Sequence, residues 1–594
     1  MLEKNIYDYI EAKQAEYENP KGIELEDGWS WSMKDHVKKS FLYLNSQFYQ
    51  QNDNRTLRPF KNIVLPIMNV HYRTEGFDVK DIELFVDNPD DYHKSLLIKK
   101  YHTHWALENS IDTFIDEMTE GYCNYGGVLA RKRVKDVKPE VIDLRTLAFC
   151  DQVDILAHPF GIRHEFSASQ LRNANDKWGN AKEGATMEIE TLISKNKKDG
   201  NDKIELFEVH GVMPEKWLKG EETPDFSETK DICQMQIVSF YKNDNDEQVG
   251  ISLFKKEYTE IDDFFKFLKR DEVSGRTLGR GGIEELFEPQ QWTNQNEIYI
   301  TEMLASASKT LFWSDDNAFK AKNNLNQVEN NEVLKLGKDG KIGQLDTYPR
   351  NLAPFNDAVD RFWQHAQIVG GGSDPLLGES PSAGTPFKLY EAQQIEGKGI
   401  HKYRQGKLAV FMDEIYRDWI LPHLAKEISK EQVFMAELSV DEMQEVVDKV
   451  IVKKTNDFKK RMILGLQEIN EELVEDYKVK VKDDIIKKGN KQFFKILKDE
   501  MKDIELSVMT NIAGKQKNLA MLTDKLVNVF RQVIATPGIR QDPEMMKLFN
   551  AILESSGLSP IMFSSGQQPQ LQQPQGGGAT QPLKDLAQTN QPQT

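Results

Sequence analysis

Cysteine is scarce. The 594-residue chain has three, Cys123, Cys150 and Cys233, far apart and with no CxxC pair. That excludes a disulfide framework and a cysteine zinc site, and it reads as free thiols in a reducing compartment. Long apolar runs are absent too. No stretch approaches the roughly 20 residues needed to span a bilayer, and the mean hydropathy is −0.60. The N-terminus, "MLEKNIYDYIEAKQAEYE", is too polar for a secretory signal, so an intracellular, membrane-free protein is expected. Positive charge is in deficit as well. Lys and Arg number 77 against 95 Asp and Glu, a formal net charge of −18. Phosphate binding draws on Lys and Arg, so DNA that meets such a surface is passed rather than held.

Catalytic signatures are missing. "GKDGKIG" lacks the spacing and the Ser or Thr of a phosphate loop, and "GRTLGRGG" fails GxGxxG. "HEFSA" around His164 lacks the second His of HExxH, and "GESPSAG" puts no Ser in GxSxG register. "NDND" lacks the Gly and distal Glu of a calcium loop. The acidic pairs Asp262–Asp263, Glu284–Glu285 and Asp315–Asp316 are sequence neighbours, which do not share a helix face. No catalytic residue, cofactor or metal is assigned; the chain reads as a non-enzymatic machine part.

What is present is an ordered run of elements. The first sixty residues read as helical and aromatic, and "KNIVLPIMNVHYR" as a strand or short buried segment. A helix is expected from Tyr92 to Tyr122, with Leu107, Ile111, Phe114, Ile115 and Met118 on one face. Gly126 and Gly127 end it before a short basic strand. Residues 141–257 look β-rich, with "KIELFEVHGVM" a strand and "CQMQIVSFYKNDNDEQVGISLF" a hairpin. A long helix follows from Pro289 to Trp313, its apolar stripe being Ile300, Met303, Leu304, Ala307 and Leu311. Residues 314–350 are rich in Asn, Lys and Gly, with a small strand pair expected about the Lys338–Gly340 turn. A second helix opens at Pro354 with Phe355, Val359, Phe362, Trp363 and Ala366 on one face.

The Gly/Ser/Pro-rich stretch "IVGGGSDPLLGESPSAGTPFK" then interrupts the helices. Taken alone it is an ordinary surface loop. A long helix begins near Thr385–Pro386 and runs to Pro422, with Gly397, Gly399 and Gly406 predicting a bend or a close contact. Further helices follow from Lys430, interrupted by a strand at Ile504, Leu506 and Val508, and the Gln/Pro tail has no aromatic residue to bury.

This order resembles the portal proteins of tailed double-stranded DNA bacteriophages. "GRGGIEELFEPQQWTNQNEIYITEMLASASK" is similar to the first stem helix of portals from crAss-like and related phages. "GTPFKLYEAQQIEGKGIHKYRQGKLAVFMDEIYRDWILPHLAKEI" is similar to their long helix after the tunnel loop. The resemblance covers about Asp91 to Gly557. It implies an α+β, predominantly helical portal fold assembled as a ring. The divisions are a peripheral segment (1–90), an α/β wing (91–282), a first stem helix (283–313) and a clip (314–350). A second stem helix (351–369), a tunnel loop (370–384), a long wing helix (385–429), C-terminal wing and crown helices (430–565) and a tail (566–594) complete it.

On the same resemblance about twelve copies encircle an axial channel at one capsid vertex, through which genome DNA is packaged and ejected. The partners implied are the terminase large subunit, a head–tail adaptor and the major capsid protein; the location is the virion, and the host cytoplasm during assembly. The DNA-facing loop would comprise Gly370, Gly371, Gly372, Ser373 and Asp374, then Gly378, Glu379, Ser380, Ser382 and Gly384. Its glycines would lend the loop freedom to follow the DNA. Docking in the clip would involve Lys320, Lys322, Lys335, Lys338 and Lys341, which serve equally as an ordinary solvated face. Trp292, Leu304, Leu311, Phe355, Phe362 and Trp363 would pack the stem. Another neck or tail component of a virion, or a metal-dependent DNA-processing enzyme, stays open as an alternative.

Overall fold

A helix that begins against a proline shows how the core is built. In the computed structural model, the stretch expected as a strand or short buried segment is a buried α-helix, Val64–Glu75. Val64, Ile67, Met68, Val70 and His71 are buried, a spacing of three and four that only a helix places on one side. Asn62 Oδ1 accepts the amides of Val64 and Leu65 at 3.0 Å each. Pro66 sits in the first turn, where no amide is required.

The structure describes residues 4–18, 23–26, 29–49, 58–86, 95–133, 137–178, 183–198, 203–222, 230–243, 245, 247–308, 311–318, 336–338, 340–345, 352–378, 386–428, 440–465, 471–488 and 506–510. All fall in one compact unit, Met1–Gln516; the second, Lys517–Thr594, lies outside them, and with it the helices and tail expected there. The architecture is mixed α/β with helix predominating.

The buried helix Val64–Glu75 packs with Ile111–Tyr125 and Gly399–Ile415 around the largest core. The helix expected from Tyr92 to Tyr122 is two helices, Ser95–Glu108 and Ile111–Tyr125, because Ser110 turns left-handed at φ 54°. The break rotates Leu107 outward to 75% exposure, whereas Ile111, Phe114, Ile115 and Met118 are buried as expected. Gly126 ends the second helix at φ 83° and the strand Gly127–Lys132 follows.

That strand is the centre of a three-stranded antiparallel sheet, between Phe265–Lys269 and Pro139–Ile142. A five-stranded antiparallel sheet has the order Gln248–Glu257, Asp231–Lys242, Ile204–Pro214, Phe160–Phe166, Leu147–Ala148. Its faces alternate as a pleat requires. Ile204, Leu206 and Ile237 meet Leu171, Ile189 and Leu192 of two helices that the sequence reading lacks, Ala168–Trp178 and Glu183–Lys198. Phe207, Val209 and Val238 meet Ile6 and Ile10 of the N-terminal helix Ile6–Glu18 on the other side. The first sixty residues also hold a short hairpin, Ile23–Glu26 with Trp29–Trp31, where the sequence suggests only helix. The strand Leu506–Thr510 pairs with Ile82–Val86.

The long helix after the glycine segment is a chain of pieces: Phe387–Gly397, Gly399–Ile415, a π-turn over Tyr416–Ile420, and Leu421–Ile428. Pro422 lies inside the last piece instead of ending the helix. A proline ring clashes with the carbonyl four residues back, and the wider π-turn just before it relieves the clash.

The glycines of "GRTLGRGG" have a packing role. A Cβ on Gly126 would lie 2.4 Å from the Gly279 carbonyl oxygen, and one on Gly281 2.5 Å from that of Asn124. Gly126→Ala therefore destabilises the fold by roughly 2 kcal/mol or more. Gly399→Ala, at a helix start with open space around it, stabilises by about 0.5–1 kcal/mol. Urea unfolding midpoints of the two variants check the contrast; a shared sign contradicts it.

Candidate functional site

Two helices leave the core together. Phe287–Ala307 and Leu352–Val369 run antiparallel, as their ring contacts require: Trp292 stacks on Phe362 at 6.3 Å, and Tyr299 meets Phe355 edge-on at 6.2 Å. The pair is rooted where Leu286 and Ala366 enter the main core, with Trp363 packed against it. Gln290 pins the root, its Nε2 donating to the Lys61 carbonyl at 2.7 Å and its Oε1 accepting the Ile63 amide at 2.9 Å.

At the far end the first helix stops at Ala307, six residues short of expectation, and the chain turns into the strand Leu311–Ser314. That strand pairs with Ile342–Leu345, so the expected strand about Ile342 is present with a different partner. Leu311 thus belongs to the hairpin and not to the helical stripe. Leu304, also placed in the stripe, is 48% exposed, as is Trp292. The Asp316 carboxylate accepts the Gly337 amide at 2.8 Å, and Asp315 accepts that of Lys341, which gives one acidic pair a turn-holding role. Lys338 and Lys341 are exposed beside this turn. Lys320, Lys322 and Lys335 lie outside the described residues.

The glycine segment departs from the expected free loop. Gly370 and Gly372 are buried, and a Cβ on Gly370 would sit 2.8 Å from Ile67 Cγ2. Closeness, rather than freedom, requires glycine there; among the described residues of the segment, only Gly371 (φ 66°) and Gly378 (φ 88°) take left-handed backbone. Between them Asp374–Leu377 forms a helical turn. Gln367 Nε2 donates to Asp374 Oδ1 at 2.7 Å, Arg73 Nη2 donates to the Leu376 carbonyl at 3.3 Å, and Ser373 Oγ stands 2.9 Å from where a Cβ on Gly397 would be. Gly397 is the close contact that the sequence predicts. Glu379, Ser380, Ser382 and Gly384 lie outside the described residues.

Behind this segment lies a buried ionic cluster that sequence reasoning missed. Glu75 is fully buried, and its Oε1 lies 2.6 Å from Arg270 Nη2, 3.0 Å from His71 Nδ1 and 2.9 Å from His401 Nδ1. Cys123 Sγ reaches the other oxygen at 3.4 Å, and Arg404 stands 3.8 Å away while binding Asp271 at 2.6 Å. Burial alone would raise the Glu75 carboxyl; the Arg270 guanidinium beside it leads the interactions that overcome this and hold the group well below the carboxylate range. Burial also pushes the Cys123 thiol well up, with Glu75 adding to the effect, so it is no nucleophile.

The donors of His71, Glu75 and His401 lie within 4.8 Å of one another, a spacing that a metal ion could use. Arg270 Nη2, however, is 2.6 Å from both His71 Nδ1 and Glu75 Oε1, so the countercharge is already supplied by the chain. The histidine of "HEFSA" has a similar structural partner: His164 Nε2 lies 2.7 Å from buried Glu208, which also meets His210 at 3.0 Å and Arg131 at 2.8 Å.

Among the described residues no helix is long and apolar enough to cross a membrane. The chain matches no family model and no curated protein.

Burial lowers His36, His71 and His102 to about 4 from an ordinary 6.5. Above pH 6.5 these rings are neutral whether the chain is folded or not, and their contribution is complete. Between pH 6.5 and 4 the unfolded chain takes up protons that the fold refuses, so stability falls with pH. Asp151 and Glu285, raised by burial, act in the opposite sense, and the lowered Glu75 and Glu208 add to the loss at more acid pH. The unfolding free energy should therefore decline on acidification, each histidine supplying about 1.4 kcal/mol per pH unit. In His102→Gln, which keeps a donor toward Tyr416 Oη, the slope becomes shallower by one proton. Urea titrations at stepped pH read this, and a flat wild-type profile contradicts it.

Proposed function

We propose that the chain is the portal subunit of a tailed double-stranded DNA phage, a non-enzymatic ring that conducts the genome through a capsid vertex. One observation carries the reading: an antiparallel helix pair rooted in the core bears a small hairpin at its far end, and the glycine segment returns from its root to a long segmented helix. In these terms the pair is the stem, the region beyond the hairpin is the clip that docks the terminase large subunit and then the head–tail adaptor, and the glycine segment begins the tunnel loop. The major capsid protein would hold the wing.

The surface supports assembly of copies. Trp292, Tyr299 and Leu304 on the first stalk helix, and Ile368 (79% exposed) on the second, leave large apolar side chains uncovered. Leu389, Ile395, Tyr403 and Val410 do the same on the long segmented helix. Scattered exposed apolar residues are ordinary, but two such sets on separate elements suit the two unlike patches that a head-to-tail ring needs. Twelve copies would carry about −216 formal charges, so DNA meets little overall grip and slides.

Mass measurement of the purified protein, with negative-stain images, tests the proposal. Twelve chains of 68.4 kDa give about 820 kDa and rings with a central hole. Monomers at every concentration, or filaments, contradict it.

A further inference from the structure

The last carbonyls of a helix have no partner within it and must find donors elsewhere. At the end of Leu352–Val369, the amides of Gly370 and Gly372 close back onto Ala366 at 2.8 Å and Gln367 at 2.9 Å. The Gly370 and Gly371 carbonyls face into the protein. His71 Nε2 lies 2.7 Å from the first and His401 Nε2 3.1 Å from the second. The two rings stand edge to face, their centroids 4.8 Å apart.

A carbonyl can only accept, so the proton of His71 is on Nε2. A neutral ring then offers a lone pair at Nδ1, and Arg270 Nη2 donates into it at 2.6 Å. Arg270 thereby sets the tautomer as well as balancing Glu75. His401 has acceptors at both nitrogens, Glu75 Oε1 at 2.9 Å and the Gly371 carbonyl, and a neutral ring can serve only one of them. The groups come from three elements remote in sequence and converge on one pair of peptide carbonyls.

We infer that His71, its tautomer set by Arg270, and His401 each turn an Nε2 proton to a glycine carbonyl and so form a clasp: they are positioning residues that fix the root of the glycine segment at Gly370 and Gly371. A Cβ added to Gly378 would meet nothing within 4 Å, whereas Gly370 and Gly372 are hemmed in by Ile67. The clasp rests on these contacts alone; only its consequence for passing DNA, a fixed root beside the channel, rests on the portal reading.

The side-chain amide of Gln places a donor where Nε2 stands, and that of Asn where Nδ1 stands. Hydrogen exchange on the full chain can therefore separate positioning from mere filling of space. In the wild type, the 370–378 peptide is protected. His401→Asn and His71→Asn speed its exchange about tenfold, the effect of one net hydrogen bond on local opening. His401→Gln and His71→Gln leave it near the wild-type rate, and the Ile204–Pro214 strand stays unchanged in all four. Equal behaviour of the Asn and Gln variants overturns the clasp. If none of the variants folds, the ring-nitrogen resonances of the wild type decide: protons on Nε2 of His71 and His401 uphold the clasp, and a proton on Nδ1 of either neutral ring overturns it. Particle mass is scored separately. Rings without the Asn/Gln split remove the clasp alone; the split without rings removes only the portal reading.

Discussion

The buried carboxylate of Glu75 is the constraint around which the rest is arranged. A charge taken fully out of water costs several kcal/mol unless partners replace its hydration. Here Arg270, His71 and His401 crowd one of its oxygens and Cys123 approaches the other. Arg270 reaches that position only because Gly126, Gly279 and Gly281 let two stretches of backbone pass within van der Waals contact. The carboxylate thus ties together the helix Val64–Glu75, the end of the three-stranded sheet and the helix Gly399–Ile415.

The same cluster stands behind the place where the stalk ends and the glycine segment starts. A stalk must be stiff to hold a hairpin away from the body. Ring contacts along its length and the Gln290 clamp at its base provide that stiffness. A segment that met a moving polymer, as proposed, would need a fixed root. Gly370 to Leu377 is packed, hydrogen-bonded and partly helical, and Gly378 is where left-handed backbone and open space coincide. In the proposed ring, the stalk and its root would be repeated around the axis, each copy presenting an acidic chain to DNA that passes.

Much of the architecture is legible in the sequence because it is local. Gly126 ending a helix, the hairpin about residues 243–247 and the helix over Phe355, Val359 and Ala366 all follow from periodicity and turn chemistry. The helix Val64–Glu75 reads as a strand or short buried segment because a short apolar run fits either state; the Asn62 cap and Pro66 in the first turn are the signals that separate them. Ser110 carries no such signal, since only its backbone angle divides the two helices. Leu311 continues a helical stripe in sequence, yet its partner strand lies some thirty residues on. The ionic cluster is hidden for the same reason. His71 and Glu75 share a helix face and can be paired from spacing, but Arg270 and His401 come from distant sequence that only the fold brings near. The glycines stand out in the sequence without disclosing their purpose: Gly370 and Gly372 admit Ile67, and freedom is left to Gly378.

A density map of the assembled particle with double-stranded DNA in place tests the account most directly. It predicts that Gly378 and the residues just after it approach the axis more closely than any other part of the chain, while Gly370 and Gly371 stay fixed on His71 and His401 in every copy. A map with Gly378 on the outer rim, away from the DNA, contradicts it.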